Sequence, residues 1–409
     1  MKLAITVVAV GLLVFAAHLL DDLFKRTKVP DVLLLLALGL VLGPATHLVR
    51  PEHLGAVGPL FTTVTLVIIL FEGGLGLDLG VLFRSLRGAA LLTVLNFLAT
   101  VAVAAPVAKV FLGMPWLSAL ILGSILGGTS SAVVIPMVKR LQMEERSRTV
   151  LSLESALSDV LVIVVGLGLM GAQQAGELKV GLMIGGMLAS FFFAGLLGMV
   201  GGFLWSLSLN RIHGLQNSVF TTPAFVCIVY GVVELMGFSG AIAALALGIT
   251  LGNLDRVPAR FLRRSPEALA SLNTTEREVF SELVFLLKTF FFVYIGVNIR
   301  LGGWLDVVIG LLLTAALFLV RIPVVHASLP SQTPRPDALA CAVLVPKGLA
   351  AAVLASLPLQ MGLPHGDTIK STVFAVVLFS ILATSVLVFM AERGWMRWAV
   401  HGLFRRFAG

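Results

Sequence analysis

Long apolar runs recur from end to end of this sequence, each close to the roughly 20 residues that a helix needs to span a bilayer. Of its 409 residues, 58% are hydrophobic and 12% are charged, whereas a soluble domain carries about 25% charged residues. The sequence lacks the short alternating segments of an outer-membrane barrel. The pattern therefore predicts an all-α polytopic membrane protein embedded in a lipid bilayer.

Windows of about 20 residues predict about thirteen transmembrane helices. The expected spans lie near residues 2–20, 30–48, 56–72, 88–111, 116–138, 149–171, 180–208, 217–236, 238–253, 279–298, 303–325, 337–359 and 369–392.

The polar connections between these spans alternate in charge, and this indicates the orientation of the chain. One set holds most of the Lys and Arg residues, and the positive-inside rule places that set in the cytoplasm. Its members are KRTK, RSLR, KRLQMEERSR, NRIH, DRVPARFLRRSP and ERGWMRWAVHGLFRRF. We therefore expect a bacterial inner (plasma) membrane protein with its N-terminus outside and its C-terminus in the cytoplasm. The net charge of +8 follows from this bias and requires no nucleic-acid partner.

Two of the spans are interrupted by residues that weaken a helix. The fifth contains GGTSSAVVIPMV, residues 127–138, and the twelfth contains CAVLVPKGLAAAVLASLP, residues 341–358. We expect Gly127, Gly128 and Pro136 to break the first, because glycine and proline weaken helical hydrogen bonding. Paired interrupted helices in inverted repeats are typical of the midplane site of a secondary transporter.

The positions of these two spans predict the internal organisation of the chain. Spans 1–6 and 8–13 would form two inverted halves within one transporter unit. The predicted boundaries are 1–409 for the whole unit, 1–171 for the first repeat, 180–208 for a linker and dimerisation helix, 217–393 for the second repeat and 394–409 for a short cytoplasmic tail. A glycine row at 195, 198 and 202 suits close helix packing within or between subunits. No GxxxxGK[ST] motif is present, so we expect neither ATP-driven transport nor an enzyme, and no cofactor.

Carboxylates in the sixth span are candidates for an ion site. Asp159 is followed by two turns of apolar residues, and an intramembrane carboxylate is functional by default because its burial is costly. Glu154 lies nearer the cytoplasmic end and is either a structural partner or part of the ion path. Ser158 precedes Asp159 and lies about 100° away around the helix.

Other charged residues lie in or beside the predicted spans. Arg321 is either a fixed cation near the site or a side chain that extends to the interface. Lys347, in the second interruption, can neutralise the C-terminal end of a half-helix. Lys288 is expected either to be structural or to extend to the interface. Glu72 and Asp78 are expected at the interface, where glycines mark the exit from the third span.

These segments together resemble the monovalent cation/proton antiporter family over nearly the whole chain. The similar stretches, in order, are KVPDVLLLLALGLVLGP, FEGGLGLDL, GGTSSAVVIPMV, ESALSDV, SGAIAALALGITLGN, FFFVYIGVNI and VPKGLAAAVLASLP. The resemblance implies a dimerisation domain, a mobile core with two crossing broken helices, and a homodimer. It implies that Asp159 is the ion-binding aspartate, that Thr129 is the threonine of the unwound helix, and that Arg321 and Lys347 are supporting basic residues.

The chain departs from this family at two positions. Ser158 replaces the first residue of the family's Asp-Asp or Asn-Asp pair, and Ser130 replaces an aspartate of the unwound stretch. We expect the cation and the proton to bind at Asp159, Ser158, Thr129, Ser130 and Ser131, with Na⁺ also bound by freed backbone carbonyls. Ion selectivity and stoichiometry follow less directly from the resemblance than the fold does.

The sequence therefore predicts a secondary antiporter that exchanges Na⁺, or alternatively Li⁺ or K⁺, for protons by alternating access. Because the pair at 158–159 has one carboxylate, we expect electroneutral exchange. A channel-like K⁺ efflux module and an organic-anion symporter are the alternatives. An intramembrane aspartyl protease would need a second intramembrane aspartate.

Overall fold

The computed structural model describes residues 8, 11–20, 22, 31–46, 48–49, 57–76, 79–175, 180–212, 218–254, 272–299 and 304–408. Within these ranges every regular element is helical. The α-helices are α1 (Gly11–Leu20), α2 (Asp31–Leu40), α3 (Val57–Leu75), α4 (Leu79–Phe111), α5 (Trp116–Leu126), α6 (Ser131–Arg140), α7 (Glu145–Ala175), α8 (Val180–Ile212), α9 (Thr221–Leu235), α10 (Gly240–Gly252), α11 (Thr274–Asn298), α12 (Trp304–Ser328), α13 (Arg335–Val343), α14 (Leu349–Gln360), α15 (Gly366–Glu392) and α16 (Arg397–Gly402).

Six stretches in the described ranges are long and apolar enough to cross a membrane, judged by length and composition. They are Gly88–Phe111, Glu145–Ala175, Phe192–Leu209, Thr274–Asn298, Val307–Ser328 and Gly366–Glu392. Shorter apolar helices accompany them. The all-helical prediction is confirmed, whereas the count of thirteen and the inverted repeats stay predictions. Asp78 and the basic connections at 25–28 and 255–266 lie outside the described residues.

Both interruptions are present, but the first is shorter than predicted. Helix α5 ends at Leu126 and α6 begins at Ser131, while α13 ends at Val343 and α14 begins at Leu349. Pro136 was wrongly assigned to the break, since it lies inside α6. A proline removes one intrahelical hydrogen bond but has a helical φ, so a helix can continue through it. The non-helical residues are therefore 127–130 and 344–348.

The chain divides into two compact units, each built from separate stretches. Unit 1 comprises Met1–Gly55, Ser85–Leu178 and Thr289–Gly409. In it α7 packs against α5, α6 and α14, and α15 packs against α12, α13 and α14. Close backbone approach also joins α2 to the end of α11, because a Cβ at Gly39 would overlap Gly296. Both interrupted helices lie in unit 1.

Unit 2 comprises Ala56–Arg84 and Lys179–Lys288. Its helix α10 packs against α3, α8 and α9. A Cβ at Gly248 would overlap the Phe71 carbonyl of α3, so the two backbones are in direct contact. Gly198 packs in the same way on the Ala243 carbonyl of α10, and a Cβ at Gly202 would overlap the Thr250 side chain of that helix. A Cβ at Gly195 would meet nothing within 4 Å. Two glycines of the predicted row therefore pack helices within the chain.

The exit from the third predicted span is also where the sequence placed it. Helix α3 ends at Leu75, and the Gly76 N–H donates to the Glu72 carbonyl at 3.2 Å. Glu72 is exposed. Lys288 is half-buried and is the last residue of unit 2.

Candidate functional site

The two interruptions lie against each other inside unit 1. The Ser130 N–H donates to the Pro346 carbonyl at 2.7 Å, which joins the first break to the second. A Cβ at Gly348 would overlap the side chain of Ser130, so only glycine fits at this position. Glycine at 348 therefore permits the close approach that brings the freed backbone groups together.

Lys347 satisfies a carbonyl that the first interruption leaves free. Its side chain is fully buried, and Nζ donates to the Gly128 carbonyl at 2.9 Å. Gly128 follows the C-terminal end of α5, where the helix dipole favours a positive charge. The Lys347 N–H donates to Ser380 Oγ at 2.9 Å, and Thr384 Oγ1 donates to the Val343 carbonyl at 3.2 Å.

Ser158 and Asp159 contact different parts of the first interruption. Ser158 Oγ accepts the Thr129 N–H at 2.9 Å and donates to the Ser155 carbonyl at 2.9 Å. Asp159 is 9% exposed, and its Oδ2 accepts a hydrogen bond from Ser131 Oγ at 2.7 Å. Ser158 thus holds the backbone of the break, while Asp159 faces the first residue of α6.

Glu154 and Arg321 form a buried ion pair beside these residues. Arg321 Nη1 lies 3.1 Å from Glu154 Oε1, and both side chains are 0% exposed. Arg321 Nε also donates to the Cys341 carbonyl at 3.0 Å. Arg321 therefore lies inside unit 1 beside Glu154 and does not extend to a surface. Its role as a fixed cation near an ion site stays a prediction. Thr129 Oγ1 donates to the same Glu154 oxygen at 3.0 Å.

The predicted hydroxyls therefore have three different environments. Ser131 bonds Asp159, Thr129 bonds Glu154, and Ser130 Oγ is buried without a hydrogen-bond partner among the described residues. Ser130 makes no side-chain cap for α6. Glu154 Oε2 is likewise buried and without a hydrogen-bond partner in this part of the chain.

Two supporting residues were missed by the sequence reading. Ser380 and Thr384 lie four residues apart on α15, and each satisfies a backbone group of the second interruption. Their i, i+4 spacing in an otherwise apolar span placed both hydroxyls on one helix face. That spacing indicates a polar helix face, but it does not tell which segment of the chain the face contacts.

We expect Arg321→Met to lower the free energy of unfolding by about 3–5 kcal/mol, because it leaves the Glu154 carboxylate buried and unpaired. Adding Glu154→Leu should recover most of the loss, since apolar replacement of a whole buried pair is often neutral. Thermal unfolding in detergent measures both. Exposed Arg393→Met is the matched control and should change the Tm little. An unchanged Tm for Arg321→Met would contradict the pairing.

Comparison with known proteins agrees with this architecture. The profile of the family described as "Sodium/hydrogen exchanger, transmembrane" matches residues 10–393. The solved structure of the sodium proton antiporter MjNhaP1 from Methanocaldococcus jannaschii has a TM-score of 0.74 at 21% identity. The match covers 99% of this chain and 100% of that one. The fold is therefore shared with that antiporter.

Curated relatives give the same family. The K(+)/H(+) antiporter NhaP of Alkalimonas amylolytica is 24% identical over 385 residues, covering 92% of this chain and 64% of that protein. The Na(+)/H(+) antiporter 1 of Methanocaldococcus jannaschii is 27% identical over 176 residues, 42% of this chain and 41% of that protein. The chain thus spans less than two thirds of the length of these relatives. Because the family profile covers nearly the whole sequence, the chain belongs to the transmembrane sodium/hydrogen exchanger family.

Proposed function

We propose that this chain is a secondary active antiporter that exchanges a monovalent cation for a proton by alternating access. The observation that supports it most is the position of Asp159. Its carboxylate is buried in unit 1 and bonded to Ser131, the first residue after the break in the interrupted helix. Membership of the sodium/hydrogen exchanger family favours exchange over a channel-like K⁺ module or an organic-anion symporter.

Competition for one carboxylate would couple the two substrates. Asp159 binds either a proton or a cation. Each time the site opens to one side of the membrane, it would therefore release one of the two and bind the other. Na⁺, Li⁺ and K⁺ are hard cations that prefer oxygen ligands. The hydroxyls of Ser130 and Ser131 and the free oxygen of Glu154 would complete the cation's shell, while Thr129 and Ser158 hold the unwound backbone in place.

The buried charges support electroneutral exchange. Glu154 and Arg321 compensate each other, and Lys347 remains bound to the Gly128 carbonyl. The Asp159 carboxylate therefore binds one positive charge in either state, as a proton or as a monovalent cation. The charge of the site is the same in both halves of the cycle, which corresponds to one cation for one proton.

The larger assembly is part of the same proposal. Thirteen spans in two inverted repeats, 1–171 and 217–393, would form the transporter, with 180–208 as linker and dimerisation helix of a homodimer. The tail 394–409 and the N-terminus would lie on opposite sides of a bacterial inner membrane. The charge alternation of the connections and the paired interruptions support this arrangement. No cofactor takes part.

The cation itself is left open by the relatives, which are named for K⁺ in one case and Na⁺ in the other. Proteoliposomes loaded with a pH-sensitive dye, given Na⁺, Li⁺ or K⁺ in turn, would rank the three ions. A channel would pass cation without moving protons, and an anion symporter would require its anion.

Asp159→Asn should reduce cation-driven proton movement to background in that assay. Asparagine keeps the size of the side chain and an acceptor for Ser131 but cannot exchange a proton for a cation. Asp367→Asn, on the exposed first turn of α15, is the control and should retain exchange. Normal exchange by a folded Asp159→Asn protein would overturn the assignment.

Replacing Ser130 and Ser131 together by alanine should raise the apparent KM for the cation by about tenfold. The Tm should change little by comparison. The reason is the loss of two oxygen atoms at the start of α6, one of them bonded to the Asp159 carboxylate. The control is Ser385→Ala, whose hydroxyl bonds the Ile381 carbonyl of its own helix. A KM equal to that of the control would make these hydroxyls purely structural.

Imposed membrane potential should leave the rate of Na⁺/H⁺ exchange unchanged, because one charge moves in each direction. A K⁺ gradient with valinomycin sets the potential, and the internal dye reports the rate. A rate that depends on potential would show that net charge moves. Loss of that dependence in Lys347→Gln would then assign the second proton to Lys347.

A further inference from the structure

Helix α4 carries a row of buried polar side chains inside unit 1, at Thr93, Asn96 and Thr100. Their exposed fractions are 3%, 1% and 1%, and their spacing of three and four residues places them on one face of the helix. The other residues of this stretch, LLTVLNFLATVAVA, are apolar. A polar row at this depth needs hydrogen-bond partners, because burying a polar group without one is costly.

The amide of Asn96 has no such partner among the residues that the structure describes. Its Oδ1 and its Nδ2 are both buried, and neither makes a hydrogen bond there. Asparagine can bond within its own helix, as Asn253 and Asn298 do when each Nδ2 donates to the carbonyl four residues earlier. Asn96 makes no such bond, so two donors and an acceptor oxygen remain for a ligand.

The residues that follow Asn96 lie against the last turn of α5. A Cβ at Gly127 would overlap the ring of Phe97, and one at Gly123 would lie 3.3 Å from the Cα of Val101. Phe97 is itself buried. Helix α4 therefore runs beside the C-terminal end of α5, and Asn96 lies at the flank of this contact, about 100° around the helix from Phe97.

The last turn of α5 needs hydrogen-bond donors from outside its own helix. The four C-terminal carbonyls of an α-helix have no intrahelical partner. The Ser124 carbonyl accepts the Gly127 N–H at 3.0 Å, and Lys347 binds the carbonyl of Gly128 just beyond the helix end. The other carbonyls of this turn require donors from a neighbouring element, and α4 is such a neighbour.

Water is the ligand whose chemistry fits both sides of this contact. It can accept from the Asn96 amide and donate to a carbonyl of α5, and buried waters make about three hydrogen bonds of this kind. Thr93 offers another acceptor, since its hydroxyl proton is donated to the Ala89 carbonyl at 2.8 Å and its oxygen keeps lone pairs. A cation would suit the oxygen atoms but would leave the amide N–H groups without an acceptor.

We propose that Asn96 binds buried water between α4 and the C-terminal end of α5, and that this water holds the last turn of α5 in place. Asn96 is thus a positioning residue that acts on the first interruption through α5. The chain continues from that turn to Gly128, which binds Lys347, and to Ser131, which bonds Asp159. A shift of the turn therefore reaches the candidate site, and this last step alone rests on the proposed function.

X-ray hydroxyl-radical labelling of the full chain in detergent tests the water site without transport, because radicals form from bound water and oxidise the nearest side chain. We expect oxidation of Phe97 although it is buried, and none of Phe71, which is 0% exposed. Asn96→Leu has a similar volume without polar atoms and should abolish labelling of Phe97, as should Asn96→Met. Asn298→Leu is the matched control and should retain it.

Absence of Phe97 labelling in the unmodified chain, a measurement that needs no variant to fold, would overturn the proposal. Equal labelling in the Asn96→Leu or Asn96→Met protein would also overturn it. Loss of labelling on addition of Na⁺ or K⁺ would assign the position to a cation and defeat the water assignment.

Exchange in proteoliposomes is the second readout. Asn96→Leu should raise the apparent KM for the cation relative to Asn298→Leu, and Asn96→Ser, which keeps a hydroxyl for the water, should restore both the KM and the labelling. A KM equal to that of the control would contradict the positioning role. Phe97 labelling in a chain that exchanges no cation would sustain the water site and defeat the proposed function instead.

Discussion

The site depends on one constraint: backbone groups released from a helix in apolar surroundings must find other partners. Each interruption of unit 1 meets this demand with groups from another segment. Lys347 reaches across to the Gly128 carbonyl, and Arg321 reaches the Cys341 carbonyl. Hydroxyls of α15 satisfy further groups of the second break. The two breaks therefore satisfy part of each other's backbone groups, and helices α12 and α15 satisfy more.

The same arrangement pairs some of the buried charges and leaves another without a charged partner in the part of the chain that the structure describes. Burying a lone charge is costly unless it is paired. Glu154 and Arg321 offset this cost by forming an ion pair, and Lys347 donates a hydrogen bond to a carbonyl at the end of α5. Asp159 is left with a hydroxyl as its hydrogen-bond partner. Under the proposed function, it is the carboxylate that a proton or a cation would neutralise.

Several outcomes followed from the sequence because they depend on local chemistry. Apolar runs without charge predicted helices, and the glycines and hydroxyls at 127–131 predicted a break. Proline was less informative, because Pro136 lies within α6 and only the residues before it are non-helical. Its effect on a helix is the loss of one bond, which neighbouring bonds can outweigh. A pattern of residue types locates a weak point without giving its length.

The sequence by itself determined the membrane-spanning character, the two interruptions and the isolation of Asp159, because these rest on hydrophobicity and on the rarity of charge in a span. The tertiary structure decided the partners. Whether Arg321 lay at an interface or beside Glu154 depended on a contact across 167 positions of the chain. The approach of Gly348 to Ser130 also joins residues that are far apart in the sequence. Pairings of this kind are set by packing, which residue spacing along one helix does not encode.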